Sequence, residues 1–163
     1  MTSRIYIALG SNLPAPGHVS PSETLLAALD VLSEAGLPAL DRSTIHRTAP
    51  VPASDQPWFA NAVIRTESAL PAGDLLDLLH RIEARFGRVR SERNAARTLD
   101  LDLVDYDGAT SGEGDWPELP HPRMHERGFV LLPLAEVAPD WRHPVTGAAI
   151  EDLIRRLPPD RLD

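Results

Sequence analysis

Cysteine is absent from this chain of 163 residues, and so is lysine, since all 16 basic residues are arginine. Without cysteine there is no thiol nucleophile, no disulfide framework and no cysteine-ligated zinc or iron–sulfur site. Without lysine there is no Walker-type phosphate loop completed by its lysine, and no Schiff-base chemistry. Any phosphate must therefore be met by arginine. Long apolar runs are missing too: nothing approaches the roughly 20 residues that a bilayer-spanning helix needs. The first residues, Met1 to Gly10, lack the basic region and apolar stretch of a signal peptide and read as a strand. The expectation is a cytoplasmic protein with no membrane partner. A net charge of −8 fits generic nucleic-acid binding poorly, because that rests on many phosphate contacts, so no nucleic-acid partner is expected.

What is present points elsewhere. In Arg97-Thr98-Leu99-Asp100-Leu101-Asp102-Leu103 the leucines alternate with two aspartates, the period of a half-buried strand. The leucines then face a core while both carboxylates emerge together on the opposite face. Adjacent acids repel unless something neutralises them, and oxygen-liganded Mg²⁺ is the usual answer. Just upstream, Arg81 to Arg97 carries six arginines against Glu83 and Glu92, a local +4 in an acidic chain. Either feature alone is compatible with a solvated polar surface. Together they supply both charge signs that a metal–nucleotide complex requires, and a small basic patch suits a compact polyanion such as ATP.

The length is that of one domain spanning 1–163. Arg4 to Leu9 predicts a first strand, ended by a turn at Gly10-Ser11-Asn12. Ser20-Pro21-Ser22-Glu23 is a capping box opening a helix whose apolar face is Leu25, Leu26, Leu29 and Leu32, and Gly36 stops it. Leu40 to Arg47 reads as a second strand and Phe59 to Thr66 as a third, joined by a proline-rich loop from Thr48 to Pro57. Pro71 opens a second helix with Leu75, Leu76, Leu79, Ile82 and Phe86 as its buried stripe, ended by Gly87. The aspartate strand follows. This order, β-α-β-β-α-β, predicts an α+β ferredoxin-like core: a mainly antiparallel sheet with both helices on one face and C-terminal additions. Those additions are an apolar helical stretch from Arg127 to Val137 and a short helix from Ala148 to Leu157. The aspartates would occupy an open face. Trp116 and Trp141 read as packing residues. His121 and His125 have helical metal spacing, but Pro122 interrupts it.

Laid end to end, these segments resemble the 6-hydroxymethyl-7,8-dihydropterin pyrophosphokinase family. The resemblance begins at Tyr6 to Leu13, continues through Arg47-Thr48 and Asp55 to Ala62, and is densest from Arg81 to Leu103. It closes with Pro120 to Met124, Glu126 to Phe129 and Pro133-Leu134. It implies Mg²⁺-dependent transfer of a pyrophosphoryl group from ATP to a pterin alcohol in folate biosynthesis, giving AMP. ATP and the pterin would be the chain's small-molecule partners, and a monomer is expected.

By the same resemblance, Asp100 and Asp102 would bind two Mg²⁺ ions, and with Arg88 and Arg97 they would form the catalytic group. Arg88 and Arg97 would hold the β- and γ-phosphates. Arg90, Arg93, His121 and Arg127 match nucleotide-contacting positions, with His80 and Glu83 at the cleft. The pterin would meet Thr48, Ala49, Val51 and Asn61 and stack between Phe59 and Phe129. Asn94-Ala95-Ala96 stand where many members carry Trp, Gly and Pro, and Ala49 replaces a usual proline. Two other readings remain distinct in products or pattern. A nucleotidyltransferase would use the same paired carboxylates but release pyrophosphate. An RNA-binding module on this scaffold would carry aromatic-rich strands, whereas here a strand carries two acids.

Overall fold

The computed structural model describes residues 3–13, 17–48, 58–87, 98–111 and 116–158. Three long strands make the frame: β1 (Ser3–Ser11), β4 (Phe59–Ser68) and β5 (Asp100–Tyr106). Two short ones, β2 (Asp41–Arg42) and β3 (His46–Thr48), both pair with β4. The sheet runs β2-β4-β1-β5, with β3 also on β4 and every pairing antiparallel. This is the predicted ferredoxin-like order, with its second strand divided. The division has a local cause at Ser43. Its side-chain oxygen accepts the Val63 N–H at 3.0 Å, so a hydroxyl takes the place of a ladder carbonyl between the two halves.

Helix α1 (Pro21–Glu34) starts as predicted, with Ser20 Oγ accepting the Glu23 N–H at 3.1 Å. It ends at Gly36, whose φ of +91° lets Leu37 N–H close back on the Leu32 carbonyl at 2.8 Å. Helix α2 (Ala72–Arg85) turns Leu75, Leu79 and Ile82 inward. Both helices cover one face of the sheet. Ile5, Ile7 and Leu9 of β1, Ala62 and Ile64 of β4, and Leu101 and Leu103 of β5 form the core against them. Each large aliphatic side chain buried there is worth about 1.5–3 kcal/mol of transfer free energy.

The opposite face is not open along its length, as the sequence had suggested. Helices α3 (Gly128–Val137) and α4 (Ile150–Arg155) build a second core on it. Val130, Leu131, Leu134, Ile150 and Leu153 pack there with Tyr6, Ala8, Val63, Val104 and Trp141. The apolar stretch of α3 needs a surface to cover, and the strands offer one at that end of the sheet. A bulge in β5 extends it. Ile7 opposes Leu103 while Tyr6 opposes Asp105, which leaves Val104 as the extra residue. Asp105 is thereby directed to the α3 side, where its carboxylate accepts Trp141 Nε1–H at 2.8 Å.

Two smaller expectations change. Gly10 and Ser11 belong to β1 rather than to a turn. Trp116 is not a core residue: it lies 60% exposed on α2, held by Asp77 Oδ1 at 3.2 Å and edge-on to His80 at 5.5 Å. Among the described residues no helix is long and apolar enough to cross a membrane.

Candidate active site

Beside the start of α3, where Gly10, Asn61 and Asp100 lie, register sets the floor of a polar site. Asn61 of β4, Gly10 of β1 and Asp100 of β5 are direct neighbours in one row across the sheet. A Cβ on Gly10 would come within 3.1 Å of Asn61 Oδ1 and 3.9 Å of Asp100 Cβ. Glycine therefore keeps a side-chain-free gap between two polar groups. Asp102 lies one step further along β5, opposite Ala8. Both aspartates are half-buried and share the face away from α1 and α2. Gly10 was not singled out from the sequence as a site residue. Its signal was a glycine at the end of an alternating strand, which often marks close approach of another group.

Two contacts hold β5 from its outer edge. Glu83 of α2 is buried, and its Oε2 accepts the Leu101 N–H at 2.7 Å. The Val104 carbonyl accepts the His121 N–H at 3.2 Å. The second contact brings His121 beside the carboxylates, with Nε2 3.9 Å from Asp102 Oδ1. Arg127 approaches from the start of α3, with Nη1 3.8 Å from Asp102 Oδ2. Burial pushes the His121 pKa down to about 4, and the charges of Arg127 and Arg123 push the same way against an upward pull from Asp100. The ring is thus neutral at ordinary pH. Its Nδ1 accepts the Arg123 N–H at 3.2 Å, which assigns the single ring proton to Nε2, facing Asp102.

An aromatic pair borders this group. Phe59 of β4 and Phe129 of α3 lie nearly parallel, 6.5 Å apart with 10° between planes. The Arg127 guanidinium sits 5.4 Å over the Phe129 ring, so one side chain links Asp102 to one ring of the aromatic pair. Thr48 pairs through its backbone with Phe59. His80 projects from α2 toward Trp116. Ala49, Val51, Arg88, Arg90, Arg93 and Arg97 lie outside the described residues, as does the 94–96 segment.

Among the described residues no three His, Asp or Glu side chains converge as a ready-made metal cage. Two carboxylates, without a third such group among the described residues, still suit Mg²⁺. That ion keeps several waters and is commonly bound by one or two carboxylates together with substrate phosphates.

Residues 6–139 match the family of 7,8-dihydro-6-hydroxymethylpterin-pyrophosphokinase. The chain belongs to that family. Its function is the family's pyrophosphokinase step in folate biosynthesis, with ATP as co-substrate. Among similar proteins is a 2-amino-4-hydroxy-6-hydroxymethyldihydropteridine pyrophosphokinase of Pseudomonas aeruginosa, 42% identical over 97% of this chain and 94% of the relative. Another of the same name, from Methylorubrum extorquens, is 35% identical over 99% of this chain and 98% of the relative. In fold, the chain is similar to a Plasmodium falciparum HPPK-DHPS crystal structure with pteroate. The TM-score is 0.70 at 12% identity, covering 96% of this chain and 44% of that one.

Proposed function

We propose that this end of the sheet is where ATP and 6-hydroxymethyl-7,8-dihydropterin meet, and that Asp100 and Asp102 hold two Mg²⁺ ions between them. The observation that carries this reading is Arg127, which contacts Asp102 and the Phe129 ring at once. It joins an anionic, metal-ready end to an aromatic end on one surface.

Each group has work that matches its chemistry. The nearly parallel Phe59 and Phe129 rings offer aromatic faces against which a planar pterin ring can stack. Asn61, buried beside the Gly10 gap, presents the fixed donor and acceptor that a pterin edge needs. The pterin hydroxymethyl group then projects toward Asp100. Bound Mg²⁺ supplies charge neutralisation on phosphate oxygens and eases loss of the alcohol proton. Neutral His121 offers its Nε2–H to a phosphate oxygen without adding a charge. Arg127 supplies a positive charge at the same place. Arg97 lies three positions before Asp100 in sequence, and with Arg88 it meets the β- and γ-phosphates, while Arg90 and Arg93 take the remaining oxygens. The alcohol oxygen attacks the β-phosphorus and releases its proton to water, the bond from the β-phosphorus to the bridging α-phosphate oxygen breaks, and AMP leaves with that oxygen. Such a step depends on in-line positioning and charge neutralisation more than on covalent help.

The test is the product split with ATP, the pterin and Mg²⁺. Equal amounts of AMP and pterin diphosphate are expected, abolished by EDTA and restored by excess Mg²⁺. Released pyrophosphate with adenylylated pterin would overturn the reading in favour of nucleotidyl transfer. Light scattering is expected to give a monomer with or without both substrates.

A further inference from the structure

Glu136, seven residues beyond Phe129 on α3, has no part in the chemistry above, yet it is one of the most heavily engaged carboxylates outside the site. It accepts from Thr44 N–H at 2.9 Å and from the Thr44 hydroxyl at 2.9 Å, and it pairs with His46 Nε2. Thr44 and His46 lie where the second strand divides, and His46 opens β3. Seven residues are close to two helical turns, so Glu136 and Phe129 share one side of α3. That side is laid across the β3–β4 pair at two points. At one end Phe129 stacks on Phe59, which pairs with Thr48; at the other Glu136 grips His46, which pairs with Asn61. Three residues that the proposed pterin site uses therefore belong to one frame: Phe59, Asn61 and Phe129.

We propose that Glu136 is a positioning residue for the pterin half of the site: by tying His46 and Thr44 to α3 it fixes the distance between the Phe129 ring and the Phe59–Asn61 strand. The inference rests on the pterin-site reading given above. The carboxylate suits the role because it joins a backbone N–H, a hydroxyl and an imidazole, which together fix α3 in rotation as well as in height. Burial alone would raise its pKa. The Thr44 N–H and the His46 and Thr44 side chains more than offset this and hold it below the usual carboxylate value, so it stays charged and keeps its grip at neutral pH.

Were Glu136 only a surface tie, its loss would lower stability and leave substrate selectivity alone. As a positioning residue it acts on one substrate. Glu136→Ala is expected to raise the KM for the pterin about tenfold, with the KM for ATP and kcat changed less than about twofold. Glu136→Gln keeps an oxygen for Thr44 and is expected to recover most of that loss. His46→Ala, which removes one of the three partners, is expected to raise the pterin KM about threefold. Asp41→Ala is the control. It removes a similar exposed pair, Arg65 Nε of β4 to Asp41 Oδ2 of β2 at 2.8 Å, well along β4 from Phe59, and should leave both KM values unchanged. An equal rise in both KM values in Glu136→Ala, or none in either, overturns the positioning role while the pterin reading stands. Should Glu136→Ala fail to fold, His46→Ala decides by the same split. If the wild-type protein forms no AMP with the pterin, both readings fall together.

Discussion

Beneath α1 and α2 the strands present Ile5, Ile7, Leu9, Ala62, Ile64, Leu101 and Leu103, whereas on the other side, at one end, the same strands present Gly10, Asn61, Asp100 and Asp102. Alternate residues of β5 thus belong to a packed core and to a polar site. The core side is over-determined, since its strand residues are buried in one cluster with Leu25, Ala28 and Leu32 of α1 and Leu75, Leu79 and Ile82 of α2. On the site side, among the described residues, register, the edge bonds to Glu83 and His121 and the reach of Arg127 do the holding. Function at one face thus depends on rigidity delivered from the other.

Breaking the site side should cost activity and little stability. Asp100→Ala and Asp102→Ala are each expected to lower kcat by about a thousandfold or more, with little change in the melting temperature. A Mg²⁺ titration of turnover checks this, and substantial activity in both variants would sink the metal assignment. Breaking the core side should do the reverse. Ile7→Ala removes a fully buried side chain and is expected to cost about 2–5 kcal/mol of stability, read by urea denaturation. Its kcat below the unfolding transition should stay near the wild-type value.

Glu83→Ala tests the coupling between the faces. It strips the Leu101 N–H of its partner and should cost about 1–3 kcal/mol. Activity should fall as well, since the strand carrying both aspartates loses its tether. A stability loss with unchanged kcat would mean that β5 keeps its place without Glu83. A smaller effect than these is expected from Phe129→Ala, a rise of about tenfold in the KM for the pterin and little change in that for ATP. Equal shifts in both would remove Phe129 from the pterin side.

Much of this was legible in sequence because single elements carry strong local signals. The alternation of Leu99, Leu101 and Leu103 with two aspartates permits only one pairing of faces, and Ser20, Gly36 and Gly87 mark helix ends by their own chemistry. The division of the second strand was not legible, because it depends on the Ser43 hydroxyl meeting Val63, 20 residues away. Nor was the cover over the second face. The apolar character of α3 announces burial but not against which surface. Gly10 is intermediate: the residue type is suggestive, but only register places it between Asn61 and Asp100. The grip of Glu136 on Thr44 and His46 spans about 90 residues of sequence and has no local signature at all.

The edge position of β5 has a consequence for how copies of this chain behave at high concentration. An outermost strand with free amides and carbonyls invites another strand to zip onto it, and from there a growing aggregate. Here the Leu101 amide is taken by Glu83 and the Val104 carbonyl by His121. The contacts that steady the aspartates thus also deny a neighbouring chain its template, so the strand that bears the site is guarded from association by the groups that shape it.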